Sequence, residues 1–291
     1  ATGEDDADEV GSRRREVRSA LGSLAADHEY RASSALEAVL AHEPIEGLLA
    51  DCRRRTRPNP AYPEDPIARP FRAGDALARV ELARATLGDA GRLRATYLSE
   101  RDDPPSRWSA LIDASDRLGL AVSRTRSTVR DFLDVDESPF RAELDGTPAR
   151  ALFRRASGQV SAAVDDHEER REAGDYATAV IEAGHALAAV EALRAAIEGI
   201  RDEAYRDPVS VESVEETADR ARDAIASIES SEDARLASRL ARPALDTFGY
   251  LPEYIERGYV DAARAQGDLA WAELYARAVP PAAGFVAERL G

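Results

Sequence analysis

Lysine and methionine are absent from the 291-residue chain, and cysteine occurs once, at Cys52. Without lysine the chain can form no Schiff base, attach no pyridoxal phosphate and place no P-loop lysine on a nucleotide. A single cysteine cannot close an intrachain disulfide, which excludes a disulfide scaffold. No stretch approaches the roughly 18 nearly uninterrupted apolar residues that a membrane-spanning helix needs, so no membrane association is expected. Runs of β-branched residues alternating with polar ones are also missing, which leaves no strand candidates.

What is present is charge and alanine. All 39 basic residues are arginine, set against 55 Asp and Glu for a net charge of −16, and alanine fills 57 positions. Abundant carboxylates without lysine resemble the composition of cytoplasmic proteins from extreme halophiles: carboxylates hold water and hydrated cations, whereas the lysine stem adds apolar surface that salts out. A GC-rich genome favours the same residues. At molar salt the Debye length is about 3 Å, so under those conditions the acidity describes the solvent and not a partner. Ala1-Thr2-Gly3 is followed by Glu4, Asp5, Asp6, Asp8 and Glu9 with no basic segment leading into an apolar run. No secretory signal is expected, and the expected location is cytoplasmic.

Apolar residues recur at helical spacing along nearly the whole chain. Val17, Leu21, Leu24, His28, Ala35 and Val39 follow one face between about Glu9 and His42, and Pro44 is read as the end of that helix. A shorter helix from Ile45 to Arg55 leads into a strap at 57–70 carrying Pro58, Pro60, Pro63, Pro66 and Pro70, too rich in proline to be helical. Further helices are expected from Gly74-Asp75 to about Leu98, with Gly88 and Gly91 as breakers, and from Asp103-Pro104-Pro105 to about Leu133. Thr147-Pro148 and Asp207-Pro208 each pair an N-cap with a first-turn proline. Ser230 and Asp233 have capping-box spacing ahead of a helix ended by Phe248-Gly249, and shorter helices follow from Pro252, from Asp268 and after Pro280-Pro281. Ten or eleven helices joined by short polar turns predict an all-α fold, either an antiparallel multi-helix bundle or a solenoid-like array, with no sheet. The acidic stretch at 134–147 is the expected boundary between an N-terminal region, 1–134, and a C-terminal hairpin region, 147–291, unless the two form one continuous domain.

An offset of 100 residues aligns Ala73-Gly74-Asp75 with Ala173-Gly174-Asp175, and Gly267-Asp268 is a third such pair. Gly174, Asp175, Tyr176, Ala179, Val180, Ala186 and Leu187 resemble the turn and second helix of a tetratricopeptide repeat, where Gly-Asp-Tyr makes the inter-helix turn. That resemblance covers about 14 residues and implies a helical hairpin whose small residues permit close packing. A generic helical hairpin with a glycine turn accounts for the same residues.

Asp165-Asp166-x-x-Glu169 resembles the pattern with which all-α isoprenoid synthases hold Mg²⁺ and a diphosphate, because the carboxylates meet on one helical face. Asp5-Asp6-x-x-Glu9 repeats it, as chance allows in so acidic a chain. Glu182-x-x-His185 resembles half of a ferritin-like di-iron site, but no second such pair exists. His28, His42 and His167 each precede Glu without completing HExxH, and neither GxxxxGK[ST] nor GxGxxG occurs.

The charge is unevenly spread. Residues 51–130 hold 16 Arg against 11 acidic residues, and the arginines cluster at Arg53, Arg54, Arg55 and Arg57 and at Arg124, Arg126 and Arg130. These seven are the candidate partner or anion site, since the planar guanidinium binds carboxylate and phosphate bidentately. Helix C-terminal capping or pairing with the acidic N-terminal helix explains the first cluster equally well. The leading functional expectation is a non-enzymatic scaffold or adaptor that binds a protein partner through a helical groove or the Pro-rich strap and needs no cofactor. An alternative is an arginine-mediated nucleic-acid- or ribosome-associated factor using 51–130, and a third is a Mg²⁺-dependent enzyme acting on a diphosphate through Asp165, Asp166 and Glu169.

Overall fold

A computed structural model describes residues 3–26, 29–58, 61–99, 105–134, 144–258 and 260–291, with side chains described at all of these except 3–5, 129–134 and 254. Ten α-helices and one 3-10 turn form among the described residues, and no sheet does, so the fold is all-α as expected. The chain divides into two compact units, Ala1–Trp108 and Ser109–Gly291. This division falls at the first residue of the fourth helix, whereas the expected boundary at 134–147 lies at its far end and includes residues 135–143, outside the described ones.

The first unit holds α1 (Gly3–Ala26), α2 (Ala35–Arg55) and α3 (Pro70–Ser99). Val17 and Leu21 of α1, Ile45, Leu49 and Cys52 of α2, and Ala83 and Ala90 of α3 share one buried cluster. Pro44 does not end a helix; it lies inside α2, and the non-helical residues 29–34 precede that helix instead. An interior proline costs about 3 kcal/mol. The fully buried Val39, Ile45 and Leu49 on either side each return about 1.5–3 kcal/mol, which outweighs it. Ser34 supplies the start that the periodicity did not show: its hydroxyl accepts the Glu37 N–H at 3.1 Å, while the Glu37 carboxylate accepts the Ser33 N–H at 2.9 Å. Pro70 starts α3, not Gly74, and neither Gly88 nor Gly91 interrupts it.

The second unit holds the body of α4 (Trp108–Asp134), then α5 (Pro148–Ala173), α6 (Tyr176–Arg201) and α7 (Val211–Ser227). A 3-10 turn at Ile228–Ser230, α8 (Ala234–Leu240), α9 (Arg242–Glu256) and α10 (Ala262–Leu290) complete it. The helices α6 and α10 are buried on most of their circumference and form the centre, with α10 packed against α5, α6, α7, α8 and α9. Thr147 caps α5 as expected, accepting the Arg150 N–H at 3.4 Å with Pro148 in the first turn. The Asp207-Pro208 start fails: Ser210 begins α7 instead, in a reciprocal capping box with Ser213 at 3.0 Å in both directions. Phe248-Gly249 and Pro252 lie inside α9, and Asp268, Pro280 and Pro281 lie inside α10. Val279, Ala283 and Val286, all fully buried beside those two prolines, hold α10 together as Ile45 and Leu49 do α2.

The three Gly-Asp pairs are therefore not equivalent. Gly174 (φ 79°) is a left-handed helix cap between α5 and α6, Gly74 is in the first turns of α3, and Gly267 is in α10. Gly267 is needed for contact. A Cβ there would stand 2.5 Å from the Ala151 Cβ, 2.7 Å from the Leu152 nitrogen and 2.9 Å from the Pro148 carbonyl oxygen. The absent side chain lets α10 lie directly on the first turns of α5, which brings the N-terminal ends of these two helices together.

Candidate functional site

Where α5 and α10 begin, side chains from both line a cavity of about 510 Å³. Four arginines face it, Arg150, Arg154 and Arg155 from α5 and Arg264 from α10, together with Asp145, Asp261 and Asp268. The three carboxylates are not equivalent. Asp145 pairs with Arg150 at 3.1 Å, and Asp261 caps α10 by accepting the Arg264 N–H at 2.8 Å. Asp268 is 4% exposed, and burial pushes its carboxyl above the ordinary range although Arg155 and Arg264 pull against that shift. The Tyr250 hydroxyl donates to Asp268 at 3.4 Å, and burial raises the pKa of this phenol as well.

Backbone N–H groups at helix starts commonly bind anions. Here the first turn of α5 is already satisfied: Ala149 N–H donates to the Tyr205 carbonyl at 3.1 Å, Arg150 N–H goes to Thr147, and Pro148 has none. The Tyr205 carbonyl is delivered by a turn in which Glu203 and Tyr205 both adopt positive φ, 65° and 66°, a conformation that costs a non-glycine residue about 1 kcal/mol or more. On the α5 side of the cleft, anion recognition therefore falls to the guanidinium groups. Arg154, Arg155 and Arg264 are in no ion pair among the described residues. The Arg155 guanidinium lies 4.9 Å from the centre of the buried Trp271 ring and 5.7 Å from that of Tyr250, so two aromatic faces hold it. Its Nε and the Trp271 Nε1 are buried without a hydrogen-bond partner among the described residues.

A second cavity of about 330 Å³ adjoins this cleft across the first turn of α10, and Asp261 lines both. It is apolar, bounded by Val209, Val211, Val214, Ile255, Val260 and Ala265, and its floor belongs to the cluster of Leu251, Val260, Ala265 and Leu269.

The arginines singled out from sequence are elsewhere. Arg54 and Arg55 both pair with Asp51 on their own helix, the latter at 2.6 Å. Burial pushes the Asp51 carboxyl up, but the hydrogen bonds from Arg55 and Arg54 outweigh it and leave it below its ordinary range. Arg53 is half-buried, and Arg57 is exposed just beyond α2. Arg124 is exposed and Arg126 half-buried on α4, in the other compact unit; the Arg130 side chain lies outside the described residues. Asp165, Asp166 and Glu169 are exposed on α5, and no group of three or more His, Cys, Asp or Glu able to hold a metal forms among the described residues. His185 Nδ1 lies 3.0 Å from Glu182 Oε2 on its own helix, and its Nε2 lies 3.3 Å from the Arg239 carbonyl, which ties α6 to α8. His167 is buried with Nδ1 2.8 Å from the Ala179 carbonyl, and His28 lies outside the described residues. Cys52 is fully buried, which raises its thiol pKa.

The model of one family, described as a domain of unknown function (DUF8264), matches residues 108–288. The chain belongs to the DUF8264 family. A second domain of unknown function (DUF8262) matches residues 1–103, so the two matches meet where the compact units divide. No curated protein and no solved structure matches the chain. The cleft and the apolar groove both lie within the DUF8264 match. The sequence signal that could have located the cleft is Arg150, Arg154 and Arg155 spaced one helical turn apart directly after the Thr147-Pro148 cap.

Proposed function

We propose that the C-terminal unit is a helical binding module that captures a protein partner by its carboxylates, in the cleft where α5 and α10 begin. The observation that carries this reading is the convergence of Arg150, Arg154, Arg155 and Arg264 on one cavity. It is the more telling because residues 109–291 hold 22 arginines against 35 acidic residues, a net −13. Asp145 is already paired with Arg150, and Asp261 and Asp268 also line the cavity, so the four guanidiniums leave the cleft only slightly positive, with Arg154, Arg155 and Arg264 outside any ion pair among the described residues. A long polyanion such as nucleic acid is disfavoured, because it needs a continuous basic track and would meet the acidic surface beyond the cleft. Arg155, stacked on Trp271, couples occupancy to a fluorophore.

The test is a titration of an acetylated, amidated glutamate hexapeptide into Trp108→Phe protein, which leaves Trp271 as the only tryptophan. A saturable change in emission is expected, lost in Arg154→Gln/Arg264→Gln. Two exposed arginines on carboxylates are worth tenfold or more in affinity at low salt, by about 1.4 kcal/mol per decade. Equal binding by the double variant, or none by the parent protein, contradicts the proposal.

A further inference from the structure

Resting on that reading, we infer that the occupant of the cleft is an amphipathic peptide segment of a partner, with an aliphatic side chain next to its acidic residues, and that the aliphatic side chain seats in the groove on the other side of Asp261. The two cavities are separate but adjoin at the start of α10: Ala263 and Arg264 line the cleft, Ala262 and Ala265 line the groove, and Asp261 lines both. A chain crossing the first turn of α10 meets guanidiniums on one side and valines and an isoleucine on the other.

The groove is open, not a sealed packing defect. Val211 is 76% and Ile255 47% exposed at its edges, beside the buried cluster of Leu251 and Val260. Exposed large aliphatics around a concave apolar surface, with a charged cleft alongside, match the layout of a peptide site in which apolar anchors supply affinity and charges set register. Charge complementarity selects the occupant. The groove contributes Glu215 and Asp261 and no arginine, so an acidic residue is disfavoured there, while the cleft favours carboxylates. The two halves also respond oppositely to salt: arginine–carboxylate attraction is screened, whereas apolar contact is not.

The experiment compares two acetylated, amidated peptides, one of three glutamates followed by two leucines and one with both leucines replaced by serine. They are titrated into the full-length chain, into Arg154→Gln/Arg264→Gln, and into Val211→Ser/Ile255→Ser, whose exposed positions leave the fold intact as checked by melting. The leucine peptide is expected to bind about tenfold or more tightly than the serine peptide, since one seated leucine is worth at least that. The groove variant erases this preference and keeps the weaker, common binding, and the arginine variant weakens both peptides. Raising KCl to about 1 M weakens both while the preference persists or widens. Equal binding of the two peptides, or a preference that survives in the groove variant, overturns the inference and leaves the carboxylate cleft standing. Failure of both peptides to bind overturns both readings.

Discussion

Substituting Gly267 by alanine adds a single methyl group at the point where α10 lies on α5. That methyl would meet Ala151 Cβ at 2.5 Å, the Leu152 nitrogen at 2.7 Å and the Pro148 oxygen at 2.9 Å. Two of the three are backbone atoms, so no side-chain rotation relieves the contact, and α5 must retreat by roughly an ångström to reach ordinary separations. Overpacking of this kind costs about 1–3 kcal/mol, which for a unit of this size lowers the melting temperature by about 2–12 °C. Helix propensity works the other way, since alanine is favoured over glycine by about 1 kcal/mol in a helix interior. Gly158, also inside α5, has nothing within 4 Å of its hypothetical Cβ and serves as the control. Differential scanning calorimetry should therefore show Gly158→Ala melting at or above the parent temperature and Gly267→Ala about 2–12 °C below Gly158→Ala, since both variants share the propensity gain. The shift in α5 would also spread Arg150 and Arg154 from Arg264 and weaken peptide binding in the cleft. If Gly267→Ala melts with Gly158→Ala, α10 does not lie on α5 as described, and the geometry of the cleft goes with it.

Asp268 has a folded pKa above its ordinary value, so its contribution is present at low pH and is lost as pH rises past about 3.9 and through the raised value. Asp268→Asn should accordingly raise the melting temperature at pH 7, with an advantage that shrinks toward pH 4; an advantage that grows on acidification contradicts the burial argument. With a net charge of −16, the chain should melt higher in molar KCl than in dilute buffer, because like charges repel over about 10 Å or more when salt is low. Equal melting at both extremes leaves the carboxylate surplus as a matter of codon usage. Cys52, fully buried and with a raised thiol pKa, should react with Ellman's reagent only at the rate at which the N-terminal unit opens, and fast labelling of the folded chain would refute its burial in the α1–α3 cluster.

The helical class was legible because its signals are local: periodicity, the Thr147-Pro148 cap and the Gly174 turn all act within a few residues. Pro44, Pro280 and Pro281 carry the local signature of helix ends, yet they lie inside helices because their local cost is outweighed by burial of neighbours that pack on distant helices. Gly267-Asp268 carries the composition of a turn, yet the glycine serves a helix crossing more than a hundred residues away in sequence, and no local rule separates these uses. The cleft was hidden for a related reason. Arg264 is remote in sequence from Arg150, Arg154 and Arg155, and in a chain with 39 arginines the denser clusters near Arg53 and Arg124 draw the eye. Density along the chain reports local pairing, as Arg54 and Arg55 with Asp51 show, whereas convergence depends on which helix ends meet.

The central claim is that the arginines of the cleft, and not those that cluster in sequence, receive the partner's carboxylates. Nε–Hε correlation spectra of arginine-labelled protein, assigned by single substitutions and recorded during titration with the glutamate–leucine peptide, test it most directly. Saturable shifts are expected at Arg154, Arg155 and Arg264 while Arg53, Arg54, Arg57 and Arg124 stay in place. Shifts confined to the latter group, or spread evenly over both, would contradict it.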